Sequence, residues 1–343
     1  MSQGNVVVTG FARHSLGEAF VRSFLNKRTG AHVIGIDRIQ NSALAEYPYF
    51  QQIEFDLNPL NCNGGLGAFA TKFAERLSDV VTATGTKGIE FLVQCAGVYE
   101  FGQLLEHTSD CRSEVLGVNV LGATEVLHGV IALNRRLCRD NEKEFAHILV
   151  GSYQELYARS GGPIYAPSKA YGIDLCTSLV AGGELAKCIY LAPGPIDTSM
   201  LHRNHWVTRA GGLENFFNQA FDGPPRTYES IFVDCDESTL QKFAREKFEP
   251  ELENLRLAMG RYKDVRSEAF NEDVGVLSKA TCAGVMTDML MGREMVSGVY
   301  SLTADGIGRE LTVKRATFAT LNRRLTFESI ATTIEPTRLS RIH

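Results

Sequence analysis

The sequence has little net charge and no long hydrophobic run. Its formal net charge at pH 7 is -5, and charged residues make up 22% of the chain of 343 residues. This balance gives no electrostatic reason to expect binding to nucleic acid or to an anionic membrane. No apolar run approaches the roughly 20 residues that span a bilayer, and a strand follows Met1–Asn5 too closely to leave room for a signal peptide. We therefore expect a cytoplasmic protein with no nucleic-acid or membrane partner.

The cysteines lack the spacing of a metal site. There are 8 of them, and none belongs to a CxxC pair. In a reducing compartment they are most simply free thiols, several of them in the core. His202 and His205 could form a metal pair, but no carboxylate or cysteine partner is evident beside them. We predict no metal site.

One stretch, from Gly151 to Lys169, carries side chains suited to moving a proton on and off an alcohol oxygen. Tyr165 and Lys169 stand at i and i+4, so a helix places both on one face. A lysine ammonium beside a phenol lowers the tyrosine pKa from about 10, which allows general acid–base catalysis. Ser152 ends the apolar run 147–150, a predicted strand, and its hydroxyl could bond the reacting oxygen. YxxxK also occurs by chance in many helices.

The N-terminal region predicts a strand, a glycine turn and a helix. The apolar run 5–9 precedes Gly10, and Phe20, Val21, Phe24 and Leu25 follow at helical spacing. Such a turn aims backbone N–H groups and a helix N-terminus at a pyrophosphate. The pattern departs from GxGxxG because Ser15 stands where a second glycine is expected.

The next predicted strand, 32–37, ends on a carboxylate. Asp37 there could accept hydrogen bonds from the adenosine ribose and would repel a 2′-phosphate, which favours NAD over NADP. Arg13 and Arg38 argue the other way, because either could meet a phosphate, so NADP stays open. The simplest alternative for Asp37 is a solvated strand end.

Strands alternate with helices along most of the chain. Further strands are predicted at 50–55, 89–95, 188–192 and 298–302. This rhythm predicts an α/β fold, a Rossmann-like doubly wound parallel sheet of about seven strands with helices on both faces. A long helix is expected over 108–141. Asn119 within it is either a surface residue or one that kinks the helix and holds water.

The rhythm breaks between 199 and 265, where we expect a helical insert, before a helix over 273–290. Trp206, Phe216, Phe217 and Phe221 in the insert form either a small satellite core or a substrate contact. The domain then covers 1–306. The basic tail, 307–343, is expected to be a solvated extension or a subunit-contact arm.

Taken in order, these motifs resemble the short-chain dehydrogenase/reductase family, of the compact type. Thr9–Gly17 is similar to the TGxxxGxG turn, Asp56-Leu57 to the adenine-contacting acidic pair, and the segment 94–97 to NNAG. Asn119, Ser152, Tyr165 and Lys169 fall where the catalytic tetrad falls, and 193–198 resembles PGxxxT. The departures are the extra residue in the glycine turn, Gln94 and Cys95 for the two asparagines, the longer insert and the tail.

The resemblance implies hydride transfer between nicotinamide and a secondary alcohol or ketone. It implies that Tyr165 is the general acid/base and that Lys169 lowers the pKa of this tyrosine. Ser152 would orient the substrate, and Asn119 would hold a relay water. The implied cofactor residues are Gly10, Arg13, Ser15, Leu16, Gly17, Asp37, Arg38, Asp56, Leu57, Cys95, Ala96, Gly97, Tyr165, Lys169, Pro193, Gly194, Ile196 and Thr198. A small-molecule substrate, bulky or apolar, and a homodimer or homotetramer are expected. A lyase, epimerase or decarboxylating enzyme that uses NAD transiently, and a non-catalytic NAD(P)-binding regulator, stay open.

Overall fold

The computed structural model of the chain describes residues 4–86, 88–100, 104–137, 145–155, 162–185, 187–202, 232–233, 274–291, 297–305, 311–316 and 335–337. Most of the expected insert over 199–265, including its aromatic cluster, lies outside these residues. The same is true of most of the tail over 307–343. The domain boundaries expected from the sequence therefore stay predictions.

The apolar, β-branched runs of the sequence form a sheet. Its strands are β1 (Asn5–Thr9), β2 (Val33–Asp37), β3 (Phe50–Glu54), β4 (Ile89–Gln94), β5 (Ala146–Val150), β6 (Lys187–Pro193), β7 (Phe232–Val233), β8 (Val274–Leu277), β9 (Gly298–Asp305), β10 (Leu311–Ala316) and β11 (Glu335–Thr337). Strands β3-β2-β1-β4-β5-β6-β9 lie side by side in this order, and each neighbouring pair is parallel. The predicted Rossmann-like sheet of about seven parallel strands is confirmed.

Helices cover both faces of this sheet. They are α1 (Leu16–Lys27), α2 (Gly65–Ala83), α3 (Ser109–Leu116), α4 (Ala123–Leu137), α5 (Tyr165–Ala181), α6 (Ser199–His202) and α7 (Lys279–Met291). Successive strand residues point to opposite faces. Val6 and Val8 of β1 therefore pack with residues of α1 and α7, whereas Val7 packs with residues of α2, α4 and α5.

Two expected helices differ from their predicted extents. The helix expected over 273–290 starts later, because β8 takes its first residues and pairs antiparallel with β9. The pairing partner, which the local pattern does not show, overrides the helical periodicity there. The helix expected over 108–141 is described to Leu137 and is interrupted by a π-helical segment, Gly117–Gly122.

That interrupted helix, Ser109–Leu137, is long and apolar enough by length and composition to cross a membrane. Half of its most apolar window is buried inside the structure. Core helices of globular domains commonly pass the same test, and α4 contributes Val126, Leu127 and Val130 to the core beneath the sheet. We read the helix as a core element on this ground.

Candidate active site

The end of β5 and the start of α5 bring the three predicted proton-transfer residues together. Ser152 follows the last residues of β5, and its hydroxyl forms a hydrogen bond with the phenol of Tyr165, the first residue of α5. Lys169 lies one turn further along α5, with Nζ 5.8 Å from the centre of the Tyr165 ring. The same Nζ donates a hydrogen bond to the Val150 carbonyl oxygen at 3.1 Å.

The pKa of Tyr165 moves against the sequence-based expectation. Tyr165 is 6% exposed. Its burial raises the pKa of the phenol well above the ordinary value, the neighbouring Glu155 carboxyl raises it further, and the Ser152 hydroxyl opposes the shift. Burial also lowers the pKa of Lys169, against the influence of Glu155 and Cys95. In the site as described the pKa of Tyr165 is therefore raised rather than lowered, because burial outweighs the Ser152 hydrogen bond that favours the phenolate, and the expected direction of the shift is wrong there.

Asn119 lies in the π-helical segment and is 6% exposed, so the surface alternative is wrong. Its amide Nδ2 donates to the Val98 carbonyl oxygen at 2.8 Å and to Ser168 Oγ at 3.0 Å, while its Oδ1 accepts from the Val98 N–H at 2.8 Å. Asn119 thus joins the loop after β4 to α5, beside Lys169. Its expected role in holding a water stays a prediction.

The glycine turn lies where β1 and β4 place their carboxyl ends side by side, at the point where the strand order reverses. Gly10 has φ 73°, and a Cβ on it would lie 2.5 Å from the Ala96 main chain. A Cβ on Gly97 would lie 2.9 Å from Lys169 Nζ. Close approach of the two loops requires glycine at position 10.

Besides Gly10, His14 takes the left-handed conformation in this turn, with φ 63°. Ser15, which stands where a second glycine is expected, is the N-cap of α1. Its φ is -91°, and its Oγ accepts from the Glu18 N–H at 3.1 Å. Leu16 and Gly17 begin α1, and Arg13 precedes His14 at the rim.

Asp37 ends β2 against the glycine turn. Its Oδ2 accepts from the Ala12 N–H at 3.1 Å, and its Oδ1 accepts from the Ile39 N–H at 3.2 Å. Burial raises the pKa of this carboxyl, and the backbone hydrogen bonds oppose the shift. Because Asp37 bonds the glycine turn, it is more than a solvated strand end. Arg38 beside it pairs with Glu114 of α3 at 3.0 Å.

The other predicted cofactor residues line the same edge of the sheet, with individual differences. Asp56 uses both carboxylate oxygens locally, accepting from the Asn58 N–H at 2.9 Å and Asn61 Nδ2 at 2.8 Å. The Leu57 side chain is buried in the core. Cys95 is bound through its N–H to the Thr9 carbonyl at 3.1 Å, and burial raises its thiol pKa to about 12.

The segment after β6 closes the edge on the other side. Pro193 ends the strand, and the Gly194 N–H donates to the Leu302 carbonyl of β9 at 2.7 Å. Ile196 forms a bridge with Leu277 of β8, and Thr198 Oγ1 donates to the Ile196 carbonyl at 3.5 Å. The Ser199 N–H then donates to the His14 carbonyl at 3.2 Å, which ties this segment to the glycine turn.

Sequence reasoning missed two residues behind the site, Glu155 and Tyr190. Glu155 Oε1 accepts from the Ser152 N–H at 2.7 Å and lies 2.8 Å from the hydroxyl oxygen of Tyr190. Tyr190 fits because Gly151 and Gly172 have no Cβ to meet its ring. A glycine at each of these positions was the available signal, but glycine alone does not reveal which ring approaches it.

A third missed group lies deeper in the core. His147, Cys176 and Cys188 place one potential metal-ligand atom each within 4.8 Å of one another, although they are far apart in sequence. His147 Nδ1 lies 3.5 Å from Cys188 Sγ, and its Nε2 lies 2.8 Å from Gln94 Oε1. Both cysteines are free thiols. The expectation of no metal site was based on spacing, which could not reveal this grouping.

The described residues fit a nicotinamide dinucleotide. Gly10 lets the glycine turn approach the Ala96 main chain beside the N-terminus of α1, and Gly97 lies against Lys169 Nζ. Asp37 stands at the strand end where an adenosine ribose would be bound. The glycine turn, the helix N-terminus and the carboxylate at this edge are therefore compatible with such a cofactor.

Comparison with known proteins agrees with this geometry. A family model described as short chain dehydrogenase matches residues 4–206, more than half of the chain. The comparison with curated proteins gave no match. The structure resembles the KRED1-Pglu enzyme, with TM-score 0.55 and 16% identity over 84% of this chain and 95% of that one.

Two further solved structures show the same fold. One is a short chain dehydrogenase/reductase from Saccharomyces cerevisiae, with TM-score 0.55 and 16% identity over 87% of this chain and 95% of that one. The other is an alcohol dehydrogenase from the archaeon Thermococcus sibiricus complexed with 5-hydroxy-NADP, with TM-score 0.55 and 15% identity over 88% of this chain and 96% of that one. At such identities the likeness concerns the fold.

Proposed function

Because this chain belongs to the short-chain dehydrogenase family, we propose that it is an NAD(P)-dependent oxidoreductase that acts on the CH–OH group of a secondary alcohol or on the matching ketone. The observation that carries the proposal is the meeting of Ser152, Tyr165 and Lys169 beside the glycine turn. A bound nicotinamide supplies hydride chemistry, accepting a hydride from the alcohol carbon or giving one to the carbonyl carbon. The chain's own residues supply position and protons.

Tyr165 is the general acid/base of the proposed reaction. In ketone reduction its phenol donates a proton to the developing alkoxide, and in alcohol oxidation its phenolate takes the alcohol proton. Ser152, which already bonds the phenol, is placed to hold the substrate oxygen beside it. Because burial keeps Tyr165 protonated, the described site favours proton donation, the step that reduction needs. Oxidation should require alkaline pH or additional positive charge near the phenol.

Lys169 and Asn119 complete the proposed machinery. The Lys169 ammonium favours the phenolate through its charge, and its hydrogen bond to Val150 fixes it near Ser152. Asn119 holds the loop after β4 against α5, so that Gly97 passes directly over Lys169 Nζ. In our proposal a water near Asn119 returns the proton to solvent.

We propose NAD rather than NADP as the preferred cofactor. The Asp37 carboxylate would repel a 2′-phosphate, and Arg38 is held by Glu114 instead of being free to meet one. A small-molecule alcohol or ketone substrate of bulky or apolar character, a homodimer or homotetramer and a cytoplasmic location remain predictions.

Cofactor titration of the purified protein tests the proposal first. NAD, NADH, NADP and NADPH are each titrated by calorimetry, and tighter binding of NAD(H) than of NADP(H) is expected. Secondary alcohols are then screened for stoichiometric NADH formation. Binding of neither cofactor would contradict the oxidoreductase proposal. Turnover of a substrate without net NADH would favour the transient use of NAD by a lyase or epimerase.

A further inference from the structure

We propose that Glu155 is a positioning residue of this site, which fixes Ser152 and α5 and, by gaining or losing its own proton, sets the pH range in which Tyr165 transfers a proton. The inference rests on the proposed function. Glu155 belongs to a short 3₁₀ turn, Tyr153–Glu155, directly after Ser152. It lies within the stretch 151–169, where no role was predicted for it from the sequence.

Glu155 ties three elements together behind the catalytic face. Its Oε1 accepts a hydrogen bond from the Ser152 main-chain N–H at 2.7 Å, which holds the end of β5. The same oxygen lies 2.8 Å from the hydroxyl oxygen of Tyr190 on β6. That hydroxyl lies 2.7 Å from the main-chain carbonyl oxygen of Lys169 on α5. A change at Glu155 therefore reaches Ser152 directly and Lys169 through the Tyr190 hydroxyl.

The number of protons in this network depends on the state of Glu155. Tyr190 has one hydroxyl proton but two close acceptors, Glu155 Oε1 and the Lys169 carbonyl. If Glu155 is ionised, the Tyr190 hydroxyl can donate to only one of these two acceptors, and the contact with the other has no proton. If Glu155 is protonated, it donates to Tyr190, and Tyr190 donates to Lys169. The second carboxyl oxygen, Oε2, is buried with no hydrogen-bond partner among the described residues, which also disfavours the charged form.

The titratable groups around Glu155 explain why its proton matters. Tyr165 and Lys169 face it from α5, and Tyr190 faces it from β6. Tyr99 stacks edge-on against Tyr165 with ring centres 4.6 Å apart, and Cys95 lies near Lys169. Burial raises the pKa of Glu155 to about 7, although Ser152, Tyr190 and the Lys169 charge oppose the shift. Glu155 therefore changes charge near neutral pH.

The consequence for Tyr165 has a definite sign. Below neutral pH Glu155 is neutral and leaves the phenol unaffected by charge. Above neutral pH its carboxylate raises the pKa of Tyr165 and opposes the phenolate that alcohol oxidation needs. The carboxylate also favours the charged form of Lys169, which partly compensates. Removing the ionisation should therefore make the phenolate form at lower pH.

The test compares wild-type protein with Glu155→Gln, which keeps the shape and hydrogen-bonding atoms of the side chain but cannot ionise. The control Glu75→Gln makes the same chemical change at an exposed residue of α2. kcat for alcohol oxidation is measured across pH. We expect Glu155→Gln to lose an inflection near pH 7 and to shift the alkaline inflection down by roughly one unit. The profile of Glu75→Gln should match wild type. An unchanged profile in Glu155→Gln would overturn the proposal.

Infrared titration separates this inference from the proposed function, because it needs no substrate and no variant at Glu155. The carbonyl band of a protonated carboxylic acid should disappear from wild-type protein with a midpoint near pH 7. Tyr190→Phe removes the hydrogen-bond partner and should move that band. If no turnover is found but the band titrates and moves, the proposed function fails while the protonation of Glu155 stands. Absence of such a band overturns the inference even in an active enzyme.

Discussion

The guanidinium of Arg38 forms a salt bridge with the carboxylate of Glu114, with 3.0 Å between Nη1 and Oε1. The other oxygen of Glu114 accepts from Asn58 Nδ2 at 2.6 Å, so the carboxylate is itself held in place. The Arg38 side chain is 58% exposed, and an exposed pair of this kind contributes about 0–1 kcal/mol to stability. We expect the salt bridge to affect cofactor choice instead. It holds the Arg38 cation beside Asp37, and this cation could otherwise meet a 2′-phosphate.

Glu114→Gln should therefore increase the affinity for NADP(H) relative to NAD(H). Freeing Arg38 adds a charge-assisted contact to a 2′-phosphate, so we expect a relative gain of up to about tenfold. Calorimetric titration of all four cofactors measures the ratio. Glu125→Gln, on α4, is a control that should leave the ratio unchanged. A ratio in Glu114→Gln equal to that of wild type would show that the salt bridge has no part in cofactor choice.

Tyr165→Phe should reduce turnover by several powers of ten and preserve cofactor binding. Phenylalanine keeps the ring that packs edge-on against Tyr99 but has no proton to transfer. Loss of a general acid/base typically reduces kcat by about 10²–10⁴-fold. NAD(H) affinity should stay within about twofold of wild type, which corresponds to a change in binding free energy well below about 1.4 kcal/mol. Steady-state kinetics and calorimetry measure the two quantities.

The matched control for this variant is Tyr171→Phe on the same helix. Tyr171 is partly exposed, and its hydroxyl pairs with Thr124 Oγ1 at 3.0 Å, away from Ser152. It should retain activity close to wild type. Retained turnover in Tyr165→Phe would contradict the assignment of Tyr165 as the acid/base.

The His147–Cys188 contact should contribute to stability without a metal. Gln94 Nε2 donates to the Ala123 carbonyl at 2.9 Å, so its Oε1 is the acceptor for His147 Nε2–H. The Nδ1 of His147 lies 3.5 Å from the Cys188 sulfur, and the hydrogen bond with Cys176 lowers the pKa of the Cys188 thiol. Cys188→Ala removes the hydrogen-bond partner of His147, and a buried polar group left unpaired costs about 1–3 kcal/mol. Urea denaturation of variant and wild type measures the loss in free energy of unfolding.

Metal analysis of the same preparations decides between a hydrogen-bonded network and a metal site. His147, Cys176 and Cys188 offer three ligands, one fewer than a structural zinc site usually has. We expect well below one equivalent of zinc per chain. One tightly held equivalent that is lost in Cys188→Ala would show instead that the three residues bind the metal.

The strands and the spacing of Tyr165 and Lys169 were predictable because both depend on local sequence. Val6–Val8 and Ile148–Val150 are short apolar, β-branched runs, which predict buried strands wherever they occur. Tyr165 and Lys169 lie one helical turn apart, so a helix alone brings them together. The order of motifs then indicated which strand ends meet.

The groups behind the site were not predictable because they depend on contacts between distant segments. Glu155 looks like a solvated loop residue until Tyr190, on another strand, is placed against it. The predicted shift in the pKa of Tyr165 had the wrong direction, because the sequence shows the neighbouring lysine but not how deeply the phenol is buried. Likewise β8 forms because β9 lies beside it.

The raised pKa of Glu155 also predicts how the stability of the folded protein changes with pH. Its ordinary value is 4.5, and burial raises it to about 7 in the folded chain. A group whose pKa is raised by folding contributes stability that is fully present below the unfolded value and is lost as pH rises through the folded value. Wild-type protein should therefore lose stability relative to Glu155→Gln between pH 4.5 and pH 7, and the difference should level off above that range. Urea denaturation midpoints across pH, with Glu75→Gln as the control, measure the difference. A constant difference between wild type and Glu155→Gln across this window would mean that Glu155 keeps its charge in the folded protein, held by Lys169.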